Sequence, residues 1–295
     1  METTVSNSAE RPVHASGTFR LGDLTIHRLG FGAMQITGPG IWGPPRDHGE
    51  AIRVLRRAVE LGVDFIDTAD SYGPHVSEEL IAEALYPYPK GLVIGTKAGL
   101  LRTGPQVWIP LGNPAYLRQQ CEMSLRRLKL DRIDLFQLHR IDSNFPADDQ
   151  FGVLRDLQNE GKVRHVGLSE VSVAEITAAR KIVPVVSVQN LYNLQTRQAE
   201  SVVDYCAKES LGFIPWFPIA SGKLLEPGSP LLAMAKGIGA TPSQVALAWL
   251  LKRSKTILPI PGTSTVGHLD ENCRAGLVKL TDAQFEELSK LGAAS

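Results

Sequence analysis

The chain has 295 residues, of which 43% are hydrophobic. This composition provides a large core and fits either one large α/β barrel or two ordinary domains. Lysine and arginine together number 31, as do aspartate and glutamate, so the formal net charge is zero. A balanced chain has no net field to attract nucleic acid or an acidic membrane surface. We therefore expect neither as a partner.

The cysteines and the first residues indicate the compartment. Cys121, Cys206 and Cys273 lie far apart and lack the spacing of a metal site. We expect buried or half-buried thiols in a reducing compartment, and we predict no metal site. Residues 1–17 lack the apolar stretch of a secretory signal, and no apolar run reaches the roughly 20 residues of a membrane span. The sequence thus predicts a soluble, cytoplasmic protein with a disordered leader over residues 1–16.

The ordered part is expected to begin with a β-hairpin. Residues 18–27 alternate apolar and polar side chains around Gly22-Asp23, which is typical of two short antiparallel strands. This hairpin precedes the first strand of the repeat described next, where it could close the amino-terminal end of a barrel.

From Leu29 onward, short apolar runs alternate with helical segments. Asn113-Pro114 and Thr241-Pro242 each combine an N-cap residue with proline at the first helical position, and residues 281–284 have capping-box spacing. No linker divides residues 17–295. The α/β alternation predicts a single (β/α)8 TIM barrel with an N-terminal β-hairpin. The predicted strands are 28–34, 63–68, 92–97, 133–139, 163–168, 185–189, 212–216 and 256–260.

Two segments are longer than a strand-to-helix loop requires. They are residues 35–47, which contain Trp42, and residues 99–112, which contain Trp108. Both follow predicted strands, so both should lie on the carboxyl-terminal face of the barrel, where barrel enzymes have their active sites. Because ligand pockets are lined mainly by apolar and aromatic groups, each tryptophan is a candidate substrate contact, with loop packing as the alternative.

Four polar residues lie at or just beyond the ends of predicted strands 2, 3 and 4. Asp67 and Tyr72 follow one apolar run, Lys97 ends the next, and His139 ends the third. Lysine is almost never buried without a partner, so Lys97 is the residue least easily explained by packing. The ends of neighbouring strands meet on one face of a barrel, so we expect the four side chains to lie together.

Together these four groups form a proton donor. The Lys97 ammonium, kept charged by Asp67, is expected to lower the pKa of the Tyr72 phenol, which would donate its proton to an oxygen as negative charge develops there. His139 could hydrogen-bond the same oxygen. A second interpretation is a Schiff-base aldolase in which Lys97 is the nucleophile, but that chemistry requires a neutral amine.

Seven short motifs occur in order between about Phe19 and Asn272. They are Gly30-Phe-Gly-Ala-Met34, Asp67-Thr-Ala-Asp-Ser-Tyr72, Gly95-Thr-Lys97, Ser124-Leu-Arg-Arg-Leu128, Asp131-Arg-Ile-Asp-Leu135, Gly167-Leu-Ser169 and Glu271-Asn272. In these motifs and their order the chain resembles the aldo-keto reductase family and, faintly, its bacterial pyridoxal reductases. The resemblance implies that Tyr72 is the general acid, that Lys97 and Asp67 tune it, and that His139 orients the carbonyl group.

The resemblance also implies a nicotinamide cofactor, although the chain has no GxGxxG turn. It assigns Ser169, Glu170 and Gln189 to the nicotinamide carboxamide and Trp216 to the stacked ring. It assigns residues 219–224 to the pyrophosphate loop and residues 262–272 to the adenosine end. By position the cofactor-binding candidates are Gly32, Ala33, Met34, Ser169, Glu170, Gln189, Trp216, Ile219, Ser221, Gly222, Leu224, Gly262, Thr263, Ser264, Thr265, His268, Glu271 and Asn272.

Three positions depart from the family's usual pattern. Glu170 stands where many members have asparagine, and Trp216 replaces a commoner tyrosine. Residues 262–265 lack the lysine or arginine that many members present to the adenosine 2′-phosphate, so the contacts there would be mainly neutral. Because the family mostly uses NADPH, the resemblance still predicts NADPH, with NADH or dual use as the alternative. The predicted reaction is reversible reduction of an aldehyde or ketone. The resemblance leaves open a cofactor-binding regulatory subunit with little turnover, as in potassium-channel β subunits.

Overall fold

Seven parallel strands form a curled sheet in the computed structural model, which describes residues 11–219, 226 and 228–291. Neighbouring strands of the sheet follow one another along the chain. This is the order of a (β/α)8 barrel, and the predicted fold class is confirmed. The strands of this sheet are β3 (Phe31–Gly32), β4 (Phe65–Asp67), β5 (Val93–Ala98), β8 (Ile133–Leu138), β9 (Val163–Ser169), β10 (Val185–Gln189) and β11 (Gly212–Phe213), while β6 (Leu100–Leu101) and β7 (Ile109–Pro110) form a separate antiparallel pair.

The predicted eighth strand, 256–260, is reduced to a single bridge between Phe213 and Ile257. The amide of Phe213 still donates to the carbonyl of Thr256 (2.8 Å), and Gly30 donates to the carbonyl of Pro259 (2.9 Å). These bonds join the segment to both edges of the sheet and close the barrel. Prolines at positions 259 and 261 have no N–H to donate, which explains why the segment forms no longer ladder.

Helices follow the strands, and the three helix starts that local sequence predicted are present. Asn113 accepts from the amides of Ala115 and Tyr116, while Thr241 and Thr281 each form a capping box. The helices are α1 (His48–Glu60), α2 (Val76–Leu85), α3 (Pro114–Leu128), α4 (Ala147–Asn159), α5 (Val173–Ala179), α6 (Glu200–Glu209), α7 (Pro230–Ile238), α8 (Pro242–Arg253), α9 (Val266–Cys273) and α10 (Asp282–Ser289), with 3₁₀ helices at Pro12–Ser16, Ala33–Ile36 and Arg274–Leu277.

The amino-terminal hairpin is present, formed by β1 (Thr18–Leu21) and β2 (Leu24–His27). Leu21 and Ile26 are fully buried and pack with interior side chains of the barrel such as Phe65. The hairpin therefore fills one end of the barrel. The predicted leader was wrong for residues 12–16, because Val13 is fully buried and its amide donates to the carbonyl of Leu61.

The three cysteines are buried and free. Burial raises the pKa of each thiol to about 12, which makes them poor nucleophiles at neutral pH. Among the helices of the described residues, none is both long enough and apolar enough to cross a membrane.

Candidate active site

The four predicted catalytic residues converge at the carboxyl-terminal ends of β4, β5 and β8. Asp67 ends β4, Lys97 lies at the end of β5, and His139 directly follows β8, while Tyr72 lies in the loop after β4. The exposed fraction of these residues is 0% for Lys97, 2% for Asp67, 6% for His139 and 7% for Tyr72. Burying charged groups this deeply costs free energy unless they are paired and hydrogen-bonded. The contacts of Lys97 and Asp67 provide such partners.

Lys97 is the centre of this cluster. Its Nζ lies 2.7 Å from Oδ2 of Asp67, 2.8 Å from the carbonyl oxygen of Thr68 and 3.3 Å from the Tyr72 hydroxyl. The ammonium has three protons, and the three acceptors account for all of them. Lys97 is therefore held as a charged group in contact with the phenol.

The other oxygen of Asp67 is also satisfied. Its Oδ1 accepts from Nε2 of Gln137 (3.0 Å) and from Nε2 of Gln189 (2.9 Å). These amides come from β8 and β10, so two other strands of the barrel fix the carboxylate. An ionised carboxylate is an acceptor only, and this one has donors on both oxygens.

The electrostatics of the cluster differ in one respect from the expectation. Burial raises the pKa of Tyr72 and outweighs the nearby charge of Lys97, which lowers it. The predicted net direction was therefore wrong, and the phenol is protonated at neutral pH. For Lys97, burial lowers the pKa, but the charges of Asp67 and Tyr72 together reverse this and leave it above its ordinary value.

His139 is a neutral imidazole. Burial, followed by the charge of Lys97, holds its pKa well below the usual range. Its Nδ1 lies 3.3 Å from the hydroxyl of Ser71, and its ring meets that of Tyr72 edge-on, with the ring centres 5.9 Å apart. A neutral ring keeps one N–H that can donate to a ligand.

A cavity of about 540 Å³ opens beside these groups. A volume of this size holds a small ligand together with part of a cofactor. Most of its walls are apolar or aromatic. The described residues lining it are Gly32, Met34, Gln35, Ile41, Asp67, Tyr72, Leu100, Gln106, Trp108, Pro110, His139, Arg140, Ser169, Gln189, Trp216, Phe217, Pro218, Ile219, Ile260 and Gly262.

The polar groups of the cavity wall fit a carboxamide. Ser169 Oγ accepts from Arg140 (3.1 Å) and keeps its own proton to donate, while Gln189 donates to Asp67 and keeps its carbonyl oxygen to accept. A primary amide needs one donor and one acceptor in this way. Glu170 does something else: its Oε1 accepts from the amide of Leu191 and from Nε1 of Trp216, both at 2.6 Å. The carboxylate therefore orients the indole of Trp216, which lines the cavity.

The candidates for the adenosine end lie around the start of α9. Thr265 is the N-cap residue and accepts from the amide of His268, and Ser264, Thr265 and His268 are exposed. Thr263 and Asn272 are buried, whereas Glu271 is half-buried and accepts from the Thr241 hydroxyl at 2.7 Å. Exposed hydroxyls at a helix start suit a phosphate. Residues Ser221, Gly222 and Leu224 lie outside the described residues.

The glycines assigned to the cofactor also have a structural role. A Cβ on Gly32 would come within 2.6 Å of the carbonyl oxygen of Ile260, and one on Gly262 within 2.6 Å of that of Gly32. Only glycine permits this approach of the first strand to the closing segment. Ala33 and Met34 belong to the following 3₁₀ helix, where Ala33 is fully buried.

The two loop tryptophans take different positions. Trp108 lines the cavity, and its ring centre lies 6.4 Å from that of Tyr72 and 6.5 Å from that of His139. Trp42 is not among the described lining residues, and its backbone forms a bridge with Gly73. Of the two candidate substrate contacts, Trp108 is thus the one that faces the reacting groups.

Sequence reasoning missed two arginines of this site. Arg102 is 7% exposed and connects both long loops to the chain beside Tyr72, and Arg140 lines the cavity directly after His139. The one signal available was that Arg140 follows a predicted catalytic residue. No local sequence pattern indicates the role of Arg102, because the carbonyl groups of residues 40 and 71 that it binds are distant in sequence.

Comparison with known proteins places these features in a family. A model of the aldo/keto reductase family matches residues 28–293. An uncharacterised oxidoreductase of Schizosaccharomyces pombe is 52% identical over 292 residues, covering 99% of this chain and 95% of that protein. Pyridoxine 4-dehydrogenase of Escherichia coli is 45% identical over 280 residues, covering 93% and 98%. The crystal structure of an aldo/keto reductase from Klebsiella pneumoniae in complex with NADP and acetate superposes with a TM-score of 0.78 at 25% identity, covering 93% and 94%.

Proposed function

Because the chain belongs to the aldo/keto reductase family and is an NAD(P)-dependent oxidoreductase, we propose that it reduces aldehydes or ketones reversibly with NADPH, with Tyr72 as the proton donor. The observation that carries the proposal is the bonding of Lys97 Nζ to both Asp67 and the Tyr72 hydroxyl at the wall of the cavity. When bound, the nicotinamide supplies the hydride that the carbonyl carbon accepts.

Tyr72 delivers the proton. It is protonated at neutral pH, and a carbonyl oxygen that gains negative charge during reduction becomes basic enough to take that proton. The phenolate left behind is stabilised by the Lys97 ammonium in contact with it, and Asp67 keeps that ammonium charged. Lys97 thus acts at the moment of transfer, even though burial keeps the resting pKa of the phenol high.

His139 positions the substrate oxygen. This role requires the tautomer in which Nδ1 accepts from Ser71 and the single ring proton sits on Nε2, from which it is donated to the carbonyl oxygen. A neutral donor does not compete with Tyr72 for the role of acid. The division of labour follows from the opposite pKa directions of the two rings, upward for the phenol and downward for the imidazole.

The residues that would hold the cofactor are those with a free hydrogen-bond donor or acceptor, or an aromatic face, in the places described above. Ser169 and Gln189 bind the carboxamide through the donor and acceptor that they keep free, and Trp216 supplies the stacking surface. At the other end, Ser264, Thr265 and His268 would meet the adenosine 2′-phosphate. These donors support NADPH over NADH by a margin smaller than a guanidinium would give.

The Schiff-base interpretation has no support in the geometry. A nucleophilic amine must be neutral and must reach the substrate. Lys97 is fully buried, is bonded to a carboxylate, and has a pKa above its ordinary value. Lys97 is not among the described residues that line the cavity, whereas its partners Asp67 and Tyr72 are.

The 45% identity with pyridoxine 4-dehydrogenase over nearly the whole chain supports pyridoxal as one candidate substrate. The test is a screen of NADPH consumption with pyridoxal, aromatic aldehydes and short aliphatic aldehydes. We expect turnover of several aldehydes, and NADPH to be used with a higher kcat/KM than NADH. No reduction of any aldehyde with either cofactor would rule the proposal out.

A further inference from the structure

The cavity contains a charge that the described residues do not compensate. Its described lining residues include two that carry a formal charge at neutral pH, Asp67 and Arg140, since His139 is neutral. Asp67 has donors on both of its oxygens, and one of them is the ammonium of Lys97. Arg140 has no such partner.

The contacts of Arg140 leave the Nε and Nη2 donors of its guanidinium unbound. Nη1 donates to the carbonyl oxygen of His139 (2.6 Å) and to Oγ of Ser169 (3.1 Å). Over residues 11–219, 226 and 228–291, Nε and Nη2 have no hydrogen-bond partner, and the side chain forms no ion pair. A guanidinium has five donors in a planar fork that matches a carboxylate.

The carboxylate whose charge acts on Arg140 is bound by other groups. The charge of Glu170 raises the pKa of Arg140, yet burial outweighs it and the pKa of Arg140 is lowered. The Glu170 carboxylate is bound by the amide of Leu191 and the indole of Trp216. Among the described residues, no carboxylate side chain therefore compensates the partly buried charge of Arg140.

The cofactor provides no anion at this place. Under the proposed function, the neutral carboxamide is the group beside Ser169, and the phosphates lie toward the start of α9. The substrate remains as the source of negative charge. Resting on that proposed function, we infer that the preferred substrates are carbonyl compounds with a carboxylate close to the reacting carbonyl group, and that Arg140 binds this carboxylate.

The position of Arg140 indicates how close the two groups are. It follows His139 in the chain, and its charge acts on both Tyr72 and His139. Under the proposed function, both rings donate to the substrate's carbonyl oxygen. A carboxylate on Arg140 thus belongs to the same end of the substrate, while Trp108 and Phe217 offer aromatic walls to its body. An aromatic aldehyde with a carboxylate on the ring has this form.

The test uses the 2-, 3- and 4-carboxybenzaldehydes, each paired with its methyl ester, which has nearly the same shape but no charge. The kcat/KM of each pair is measured with NADPH for the wild type, Arg140→Met and Arg140→Lys. In the wild type, at least one acid should exceed its ester by about tenfold or more, mainly through KM. Arg140→Met should abolish this ratio, and Arg140→Lys should keep part of it because the charge remains without the fork.

The control is Arg155→Met, which removes the same charge from a side chain that is 47% exposed on α4. It should keep the wild-type ratio. Cofactor affinity is followed in parallel by fluorescence titration. If the wild type reduces the esters as well as all three acids, the inference is overturned while the proposed function stands. Equal losses for acid and ester with weaker NADPH binding in Arg140→Met would assign Arg140 to the cofactor and overturn it as well. If the wild type reduces none of the six compounds and no aldehyde of the wider screen, the proposed function itself is overturned.

Discussion

The guanidinium of Arg102 lies 3.5 Å from the ring centre of Trp108. The same side chain donates to the carbonyls of Ser71 (2.9 Å), Gly40 (3.1 Å) and Val107 (2.8 Å). One buried cation thus fixes the cavity tryptophan, the first long loop and the chain next to Tyr72. Backbone carbonyls so far apart in sequence are connected here through a single side chain.

Arg102→Ala should therefore disorder the cavity wall without removing any reacting group. We expect KM for aldehydes to rise about tenfold or more, with a smaller change in kcat, since displaced walls weaken substrate positioning. Steady-state kinetics with one aromatic aldehyde measure both. Arg102→Lys keeps the charge and should restore part of the loss. Unchanged KM in both variants would show that the loops hold their positions without this residue.

Asp70 supplies a prediction about stability. Its two carboxyl oxygens are buried without a hydrogen-bond partner in the described part of the chain. Burial, and then the charge of Glu78, raises its pKa well above the ordinary value. The folded chain then holds a proton that the unfolded chain releases near pH 4, so the free energy of unfolding falls as pH rises above that value.

Asp70→Asn removes this ionisation. Relative to the wild type, the free energy of unfolding of the variant should increase from pH 4 upward, as measured by urea denaturation at several pH values. The exposed Asp131 provides the control, because Asp131→Asn should leave the pH dependence unchanged. Parallel curves for Asp70→Asn and wild type would mean that the buried carboxyl has a partner after all.

The adenosine end gives the cofactor prediction. Ser264 is exposed and, unlike Thr265, does not cap α9. Ser264→Arg should tighten NADPH about tenfold, because bonds to a charged phosphate are roughly twice as strong when the donor is charged too. NADH has no 2′-phosphate, so its Kd should stay nearly constant. Fluorescence titration of both cofactors measures this.

Ser264→Gln is the matched control, with a longer polar side chain but no charge. It should tighten neither cofactor appreciably. Equal tightening of NADPH and NADH by Ser264→Arg would mean that the phosphate lies elsewhere. Tighter binding of NADH than of NADPH by the wild type would overturn the cofactor preference itself.

Features set by local sequence were predictable, and those set by distant contacts were not. An apolar run followed by a polar residue indicates the end of a strand. For this reason the sequence alone predicts that Asp67, Lys97 and His139 lie on one face of the barrel. Capping at Asn113 and Thr241 depends on residues within four positions. The role of Arg102 depends on carbonyls 31 and 62 positions away, and no sequence pattern encodes that geometry.

Glu170 has contacts that its position in the chain did not predict. Its position predicts a contact with the carboxamide, and in the structure its carboxylate accepts from the indole of Trp216 and the amide of Leu191. The substitution of glutamate for asparagine and that of tryptophan for tyrosine are thus connected, since one side chain bonds the other. In the sequence, Glu170 and Trp216 are two separate departures from the family's usual pattern. In the structure they form one hydrogen bond.

Lys97→Met tests whether the lysine acts through the phenol. It should lower kcat about as far as Tyr72→Phe does, and the double variant should be little worse than either single one, because residues that act as a unit are not additive. Asp67 would be left buried without its counterion, which destabilises a protein by about 3–5 kcal/mol. Asp67→Asn is therefore combined with Lys97→Met in a second variant, and thermal unfolding is compared. Fully additive losses would give Lys97 an independent role.

The central claim is that the Tyr72 hydroxyl is the proton donor, and Tyr72→Phe tests it most directly. The variant keeps the ring and its contacts with Trp108 and His139, and loses only the oxygen bonded to Lys97. The measurement is kcat for an aldehyde that the wild type reduces, together with the Kd of NADPH by fluorescence titration on the same preparation. We predict a loss in kcat of about 10²–10⁴-fold, as expected for a general acid, with an unchanged Kd. Wild-type turnover with intact cofactor binding would contradict the account.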